Sequence, residues 1–349
     1  MGAGAEQGRG RRPVSMADVA ARAGVSQQTV SRVANGLSNV NEKTRERVQA
    51  AMAELGFRPN YAGRSLRGGR YRSVGLCVND VTKFGNLTMI DGIMTSAREH
   101  GYAITLIEMS KTEEFLLSEA SRRMAALPVD GMIIGMSRLS PDFEEFQPQP
   151  GMSTVIVTMY AHPRCTTVDS DHYGCSKLVM DHLFKHGHEQ IRFVGGPEFS
   201  VDNQFREAGW RDALIQHRIE PTTPMRGDWS ANSGYEVGRR LAAEDKAMTA
   251  VYVANDQMAM GVIAALMDAG LRVPEDVSVV GFNNRSFGAM WDPPLTSYSQ
   301  NFLEMGRRAF GMLHEQIVAR RAGVEPPPSR VDVVQGRPYL RASGIPARA

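Results

Sequence analysis

From Ser73 onward the chain repeats one pattern, a short run of apolar and β-branched residues followed by a helix-length amphipathic stretch. The runs are Val74–Val78, Ile104–Ile107, Met132–Ile134, Val155–Val157, Ile191–Val194, Ala250–Val253 and Val277–Val280. Between the first two, Leu87, Ile90, Ile93, Met94 and Ala97 fall on one helical face. Strands that are apolar throughout are buried on both sides, and strand–helix alternation supplies helices to cover both. The pattern therefore predicts parallel sheets between helical layers. About 260 residues are too many for a single open sheet, so two similar α/β lobes with a cleft between them are expected. In such sheets ligands sit beyond the carboxyl ends of the strands.

The first 72 residues do not follow this pattern, and their charge differs. They hold 13 Lys/Arg against 5 Asp/Glu, a net of +8, while the remaining 277 residues hold 27 against 33, a net of −6. A basic head on a mildly acidic body points to a polyanionic partner for the head. Charge alone leaves a merely solvated basic face as the alternative. Residues 1–12, rich in Gly and Arg, read as a disordered basic arm, and three short helices follow. Ser15-Met16-Ala17-Asp18 opens a capping box, and the helix runs to Ala23 before Gly24 stops it. Ser26 caps a second helix over Gln27–Ala34, and the Ala23-Gly24-Val25 turn makes the pair a helix-turn-helix. A third helix starts at Asn41, places Val48, Ala51, Met52 and Leu55 on one face, and ends at Gly56. Val19, Ala20, Val25, Val30 and Val33 complete a small core.

The second helix carries polar residues where a reader of base edges needs them. Gln27, Gln28 and Ser31 lie at or near its start, Arg32 one turn on, and Asn35 closes it. Gln pairs bidentately with adenine and Arg with guanine in the major groove. A helical hairpin with a polar outer face is the competing structural reading.

The run from Ala17 to Val33, with Thr29-Val30-Ser31-Arg32 at its centre, resembles the headpiece of the LacI/GalR family of transcriptional regulators almost residue for residue. The resemblance implies an all-α helix-turn-helix headpiece over residues 13–59, a hinge helix or linker over 60–70, and a two-lobed effector-binding and dimerisation domain over 71–345. That last part would be an α/β core like a periplasmic binding protein. By matching positions, Ser15, Ser26, Gln27, Gln28, Thr29, Ser31, Arg32 and Asn35 contact DNA, joined by Arg64 and Leu66 of the hinge. Phe57-Arg58-Pro59-Asn60-Tyr61-Ala62-Gly63-Arg64-Ser65-Leu66 is similar to the family's hinge, in which the residue at Leu66 wedges into the minor groove and kinks the duplex. Gly63 departs from the family's Ala, at about 1 kcal/mol of helix propensity, so weaker coupling is expected. Lys43, Arg45, Arg47 and the hinge residues Arg64, Arg67 and Arg70 are expected mainly on phosphates.

The resemblance continues through Gly187-His188-Glu189-Gln190-Ile191, Gly227-Asp228-Trp229-Ser230, Ala254-Asn255-Asp256-Gln257-Met258-Ala259 and Pro293-Pro294-Leu295-Thr296. It implies lobes near residues 73–161 plus 292–320, and 162–291 plus the C-terminal strand. It also places Asp80, Asp169, Arg206, Trp229, Asn255 and Asn283 in the effector cleft. Those residue types suit a small polyol: a guanidinium and amides bridge hydroxyls, and an indole covers the apolar face of a sugar ring. Taken singly, Trp229 could be core and Asn255 a helix cap. Asn283-Asn284 replaces the family's Asp-Asp, and Thr158 stands where a family member has an acidic sugar contact. An unusual sugar, sugar acid or sugar phosphate is therefore expected as effector.

Other functions find less support. His182 and His186 have a zinc-compatible spacing and His188 is near, but no third ligand is fixed, and Asp169-Ser170-Asp171 lacks the Gly and distal Glu of a calcium loop. No metal or cofactor is expected. GxSxG and a strand-linked GxGxxG are both missing, so no enzyme is expected. The three widely spaced cysteines fit a reducing cytoplasm, and no run approaches ~18 apolar residues. Two headpieces are needed to read a two-fold palindromic operator, so a homodimer is expected, in the cytoplasm, and the tail after Pro326-Pro327-Pro328 lacks the leucine heptad of a tetramer. Release of DNA by a sugar-type effector is the leading reading. A corepressor-dependent repressor and a sugar-binding protein without DNA function are the alternatives.

Overall fold

The computed structural model describes residues 14–34, 39–57, 70–109 and 116–345. It divides into two compact units, residues 1–71 and 72–349.

The first unit contains α1 (Met16–Ala23), α2 (Gln27–Ala34) and α3 (Glu42–Leu55). The Ser15 hydroxyl accepts from the Asp18 amide while Asp18 accepts from the Ser15 amide, so both halves of the expected capping box are present. Gly24 closes α1 at φ +61°, a left-handed conformation that costs a glycine nothing. The Thr29 amide donates to Ser26 Oγ at 3.2 Å, and Asn41 caps α3 through the Lys43 amide. Val19, Ala20, Ala23, Val30, Val33, Val48 and Ala51 form the core, with Val25, Met52 and Leu55 packed at its margin.

The second unit runs β1 (Ser73–Val78), α4 (Phe84–Glu99), β2 (Ala103–Glu108), α5 (Leu117–Ala125), β3 (Gly131–Gly135), β4 (Ser153–Val157), β5 (Thr166–Ser170), α6 (His172–Lys185), β6 (Ile191–Gly195), α7 (Val201–Gln216), β7 (Met225–Arg226), α8 (Ala231–Glu244), β8 (Ala250–Val253), α9 (Asp256–Asp268), β9 (Ser278–Val280), β10 (Ser297–Ser299), α10 (Phe302–Arg321), β11 (Val331–Val334) and β12 (Arg337–Tyr339). One parallel sheet has the order β11-β5-β4-β3-β1-β2, a second has β7-β6-β8-β9, and β10 pairs antiparallel with β12. Each of the seven expected strands lies in one of the two parallel sheets. Separate apolar clusters cover the two faces of the first sheet, and a third, around Phe193, Trp210, Tyr252 and Phe282, fills the second lobe.

The expected lobe boundary needs correction. β5 and β11 both belong to the first sheet, where Thr167 pairs with Val331 and Thr166 with Val155. The reading at residue 162 failed because Thr166-Thr167-Val168-Asp169-Ser170 lacks an apolar run, although every residue of it is buried. Two β-branched threonines do what valine does in a sheet. The chain end does reach the second lobe, where the Ser343 hydroxyl donates to the Val279 carbonyl at 2.6 Å.

Candidate functional site

On the headpiece, Ser26, Gln27 and Gln28 are exposed at the start of α2, while Thr29, Ser31 and Arg32 are half-buried. The Ser26 and Thr29 hydroxyls lie 3.0 Å apart, and Ser26 is occupied as the cap, so the two glutamines are the free-standing polar side chains at this end. Val30 and Val33 point into the core and fix the helix's rotation, which turns Gln27 and Gln28 outward. Arg22 of α1 forks onto Glu54 of α3 at 2.8 and 3.1 Å and ties the first helix to the third. Arg45 pairs with Glu42 at 3.4 Å. Asn35, Arg64, Leu66, the basic arm of residues 1–12 and the hinge up to residue 69 lie outside the described residues.

In the second unit, Asp169, Arg206, Trp229, Asn255 and Asn283 line a single cavity of about 120 Å³ between the two parallel sheets. Each follows or ends a strand, or sits in the first turns of a helix after one, so the cavity opens at the carboxyl ends of the strands. By this measure a water needs about 10–15 Å³, so the space suits a small molecule. Asp80 is not among the lining residues; its carboxylate accepts from the Thr82 amide and hydroxyl at 2.9 and 2.6 Å. Thr158 is fully buried, is not among the lining residues although its neighbour Val157 is, and accepts from the Tyr160 amide at 3.3 Å.

Arg206 is 2 % exposed. Its Nη1 donates to the Ala254 carbonyl at 2.7 Å, its Nη2 lies 3.2 Å from His172 Nδ1 and 3.5 Å from Asp202, and its Nε has no partner. The guanidinium carbon lies 4.6 Å from the Phe282 ring centre and 5.5 Å from that of Trp229. Trp229 and Asn283 hold positive φ values, +78° and +109°, a region that a side chain as bulky as that of Trp229 avoids. Such strain costs about 1–3 kcal/mol per residue and concentrates at ligand clamps. The indole lies so close to Gly196 that a Cβ there would meet it at 2.1 Å, so the strand β6 must exit through a glycine.

Asn255 serves two roles. Its Oδ1 caps α9 through the Met258 amide, and its Nδ2 donates to the Trp229 carbonyl at 2.9 Å, which holds the strained residue in place. Asn283 Oδ1 accepts from Gln300 Nε2 at 2.8 Å, so its remaining polar group is the amide donor. Burial raises the Asp169 carboxyl above its ordinary range, opposed by the attraction of His172. Sequence reasoning missed Lys83, Asp202, Gln257 and Phe302, which also line the cavity. Only Asp202 left a signal, four residues before Arg206 on one helical face.

Among the described residues one group could hold a metal ion, Asp169 with His172 and Asp202. It fits a cation poorly. Arg206 donates into His172 Nδ1, which puts the ring proton on Nε2, the nitrogen that faces the two carboxylates. The histidines noted from sequence are engaged elsewhere: His182 Nε2 with the Gly344 carbonyl, His186 Nδ1 with the His182 carbonyl, and His188 Nδ1 with Thr249. No described helix is long and apolar enough to cross a membrane.

Comparison with known proteins agrees in both units. Residues 15–60 match bacterial regulatory proteins of the lacI family, and residues 180–343 match a periplasmic binding protein-like domain. The lactose operon repressor of Escherichia coli (strain K12) is 33% identical over 305 residues, covering 86% of this chain and 84% of that protein. The HTH-type transcriptional repressor PurR of Haemophilus influenzae is 30% identical over 319 residues, 90% of this chain and 94% of the relative. The solved structure of the lac repressor dimer bound to operator and the anti-inducer ONPF is similar with a TM-score of 0.81 at 30% identity, over 96% of this chain and 100% of that one. The chain belongs to the LacI family of DNA-binding transcriptional repressors.

Proposed function

We propose that this repressor reads a two-fold operator as a homodimer, and that a sugar-type ligand in the cavity of the second unit releases it. The observation that carries the reading is the convergence of Asp169, Arg206, Trp229, Asn255 and Asn283, from five separate segments, on one cavity. A paired guanidinium, a carboxylate, two amides and an indole face are the chemistry of polyol recognition. Ser15, Ser26, Gln27, Gln28, Thr29, Ser31, Arg32 and Asn35 contact DNA, with Gln27, Gln28 and Arg32 at base edges, and Arg64 and Leu66 act from the hinge. The operator-bound dimer of the lac repressor supports the assembly. Such a regulator works in the cytoplasm, on the nucleoid. The donor at Asn283 and the cationic Lys83 favour a ligand with acceptor groups, a sugar acid or sugar phosphate among them.

The test is a titration of the full chain against the DNA upstream of its own gene at fixed salt, with and without neutral sugars, aldonic acids and sugar phosphates. The reading expects a salt-sensitive complex that one ligand weakens. Strengthening by a ligand would establish corepression instead, and no DNA complex would leave a ligand-binding protein alone.

A further inference from the structure

His172 carries no motif and matched no sequence expectation, yet it is the fully buried hub of the polar network behind the cavity. It stands in the first turn of α6, and two other elements face its ring. Arg206 and Asp202 come from α7, and Asp169 comes from the end of β5. Arg206 Nη2 lies 3.2 Å from Nδ1, and the carboxylates of Asp169 and Asp202 lie 3.4 and 3.5 Å from Nε2. A guanidinium has only donors, so Nδ1 must be the bare acceptor and Nε2 must bear the hydrogen. That N–H faces the Asp169 and Asp202 carboxylates, whose oxygens lie 3.4 and 3.5 Å from Nε2. Arg206 is thereby held from opposite sides, by the Ala254 carbonyl on Nη1 and by His172 with Asp202 on Nη2, while its buried Nε and the second Nη1 hydrogen are not used by these contacts.

We propose that His172 is a positioning residue for the ligand site, locked as the Nε2–H tautomer, which aims Arg206 at the ligand without touching it. This rests on the cavity being the effector site. A buried guanidinium free to rotate would spread its donors over several orientations, and a pre-set one spares the ligand that ordering cost. The same tautomer disfavours a divalent cation beside the two carboxylates, because the imidazole turns an N–H rather than a lone pair toward them.

The experiment uses the full chain labelled with ¹⁵N in its histidine rings. Long-range ¹H–¹⁵N spectra at neutral pH report each ring's tautomer, and His172 is assigned as the signal lost in His172→Asn. The expected result is a bare Nδ1 and a protonated Nε2, a preference that Arg206→Met abolishes. A protonated Nδ1, or a shift of this ring on adding stoichiometric zinc chloride, overturns the proposal. A second arm compares His172→Asn, whose amide oxygen offers an acceptor near the place of Nδ1, with His172→Leu, which keeps bulk and offers none. Tryptophan fluorescence follows binding of the same neutral sugars, aldonic acids and sugar phosphates, with melting and DNA binding as controls on folding. His172→Leu should lose about 10-fold in affinity, and His172→Asn should stay within about 3-fold of the wild type. Equal affinity in all three overturns the positioning role and leaves the effector site standing. A wild type that binds no probe but shows the expected tautomer overturns the effector site and upholds the locked arrangement of His172 and Arg206.

Discussion

In the headpiece the candidate reading side chains Gln27 and Gln28 stand exposed over a core of seven buried residues. In the body the candidate ligand residues Arg206 and Asn255 are 2 % and 4 % exposed, between two parallel sheets with far larger cores. The difference follows from the partner. A base edge is presented by the duplex and can be met from outside, so the protein needs one helix with its polar face turned outward. A small ligand must be stripped of water and surrounded, so its donors are buried and held by other protein groups before it arrives. The strained Trp229 and Asn283 occur in the body, each fixed by a side-chain amide, through Asn255 and Gln300 respectively.

Variants can break or sharpen this comparison, beginning with the strained indole. Trp229→Ala should weaken effector binding about 100-fold, near 2.7 kcal/mol, with operator affinity retained. Trp229→Gly should lose the ligand equally but be more stable than Trp229→Ala by about 1 kcal/mol, and so melt at a higher temperature, because glycine relieves the positive φ. Equal melting of the two variants would remove the strain argument. In the headpiece, Val30→Ala should cost about 2 kcal/mol and melt that unit separately, while Val251→Ala in the body should leave the body folded. Calorimetry that shows one joint transition for Val30→Ala would contradict independent cores. Gln28→Ala should reduce specific binding by about 1–3 kcal/mol with random DNA unaffected, whereas equal loss on both would mean a phosphate contact.

A smaller effect separates the units by pH. All eight histidines lie beyond residue 72. Burial, with the positive fields of His186 and His182, pushes His188 down to about 4. The unfolded chain takes up a proton near the ordinary value and the folded chain resists, so this stability is present above that value and is lost as pH falls toward 4. The body should lose at most about 3 kcal/mol on this account over that interval, and less to the extent that solvent screens the ring. His188→Asn should flatten the slope, and an unchanged slope would assign it to another group.

Legibility in the sequence divides along the same line. The headpiece was readable to its caps, because Ser15, Gly24, Ser26 and Asn41 act over two to four residues and local spacing decides them. The seven apolar strands were readable for the same reason. β5 was not, because its threonines are polar by type and buried by position. The cavity was partly legible: five of the six residues named for it meet there, from positions as far apart as 169 and 283. His172 was not, since its role depends on α6, α7 and β5 meeting, which no single stretch of sequence records.

If ligand in the buried site governs the exposed reading face, the two binding events are thermodynamically linked. Ligand affinity should be measured on the full chain with and without saturating operator DNA. If ligand and DNA oppose each other, the account predicts that operator weakens ligand binding by the same factor by which ligand weakens operator binding. A ligand that binds equally well with and without operator would contradict it.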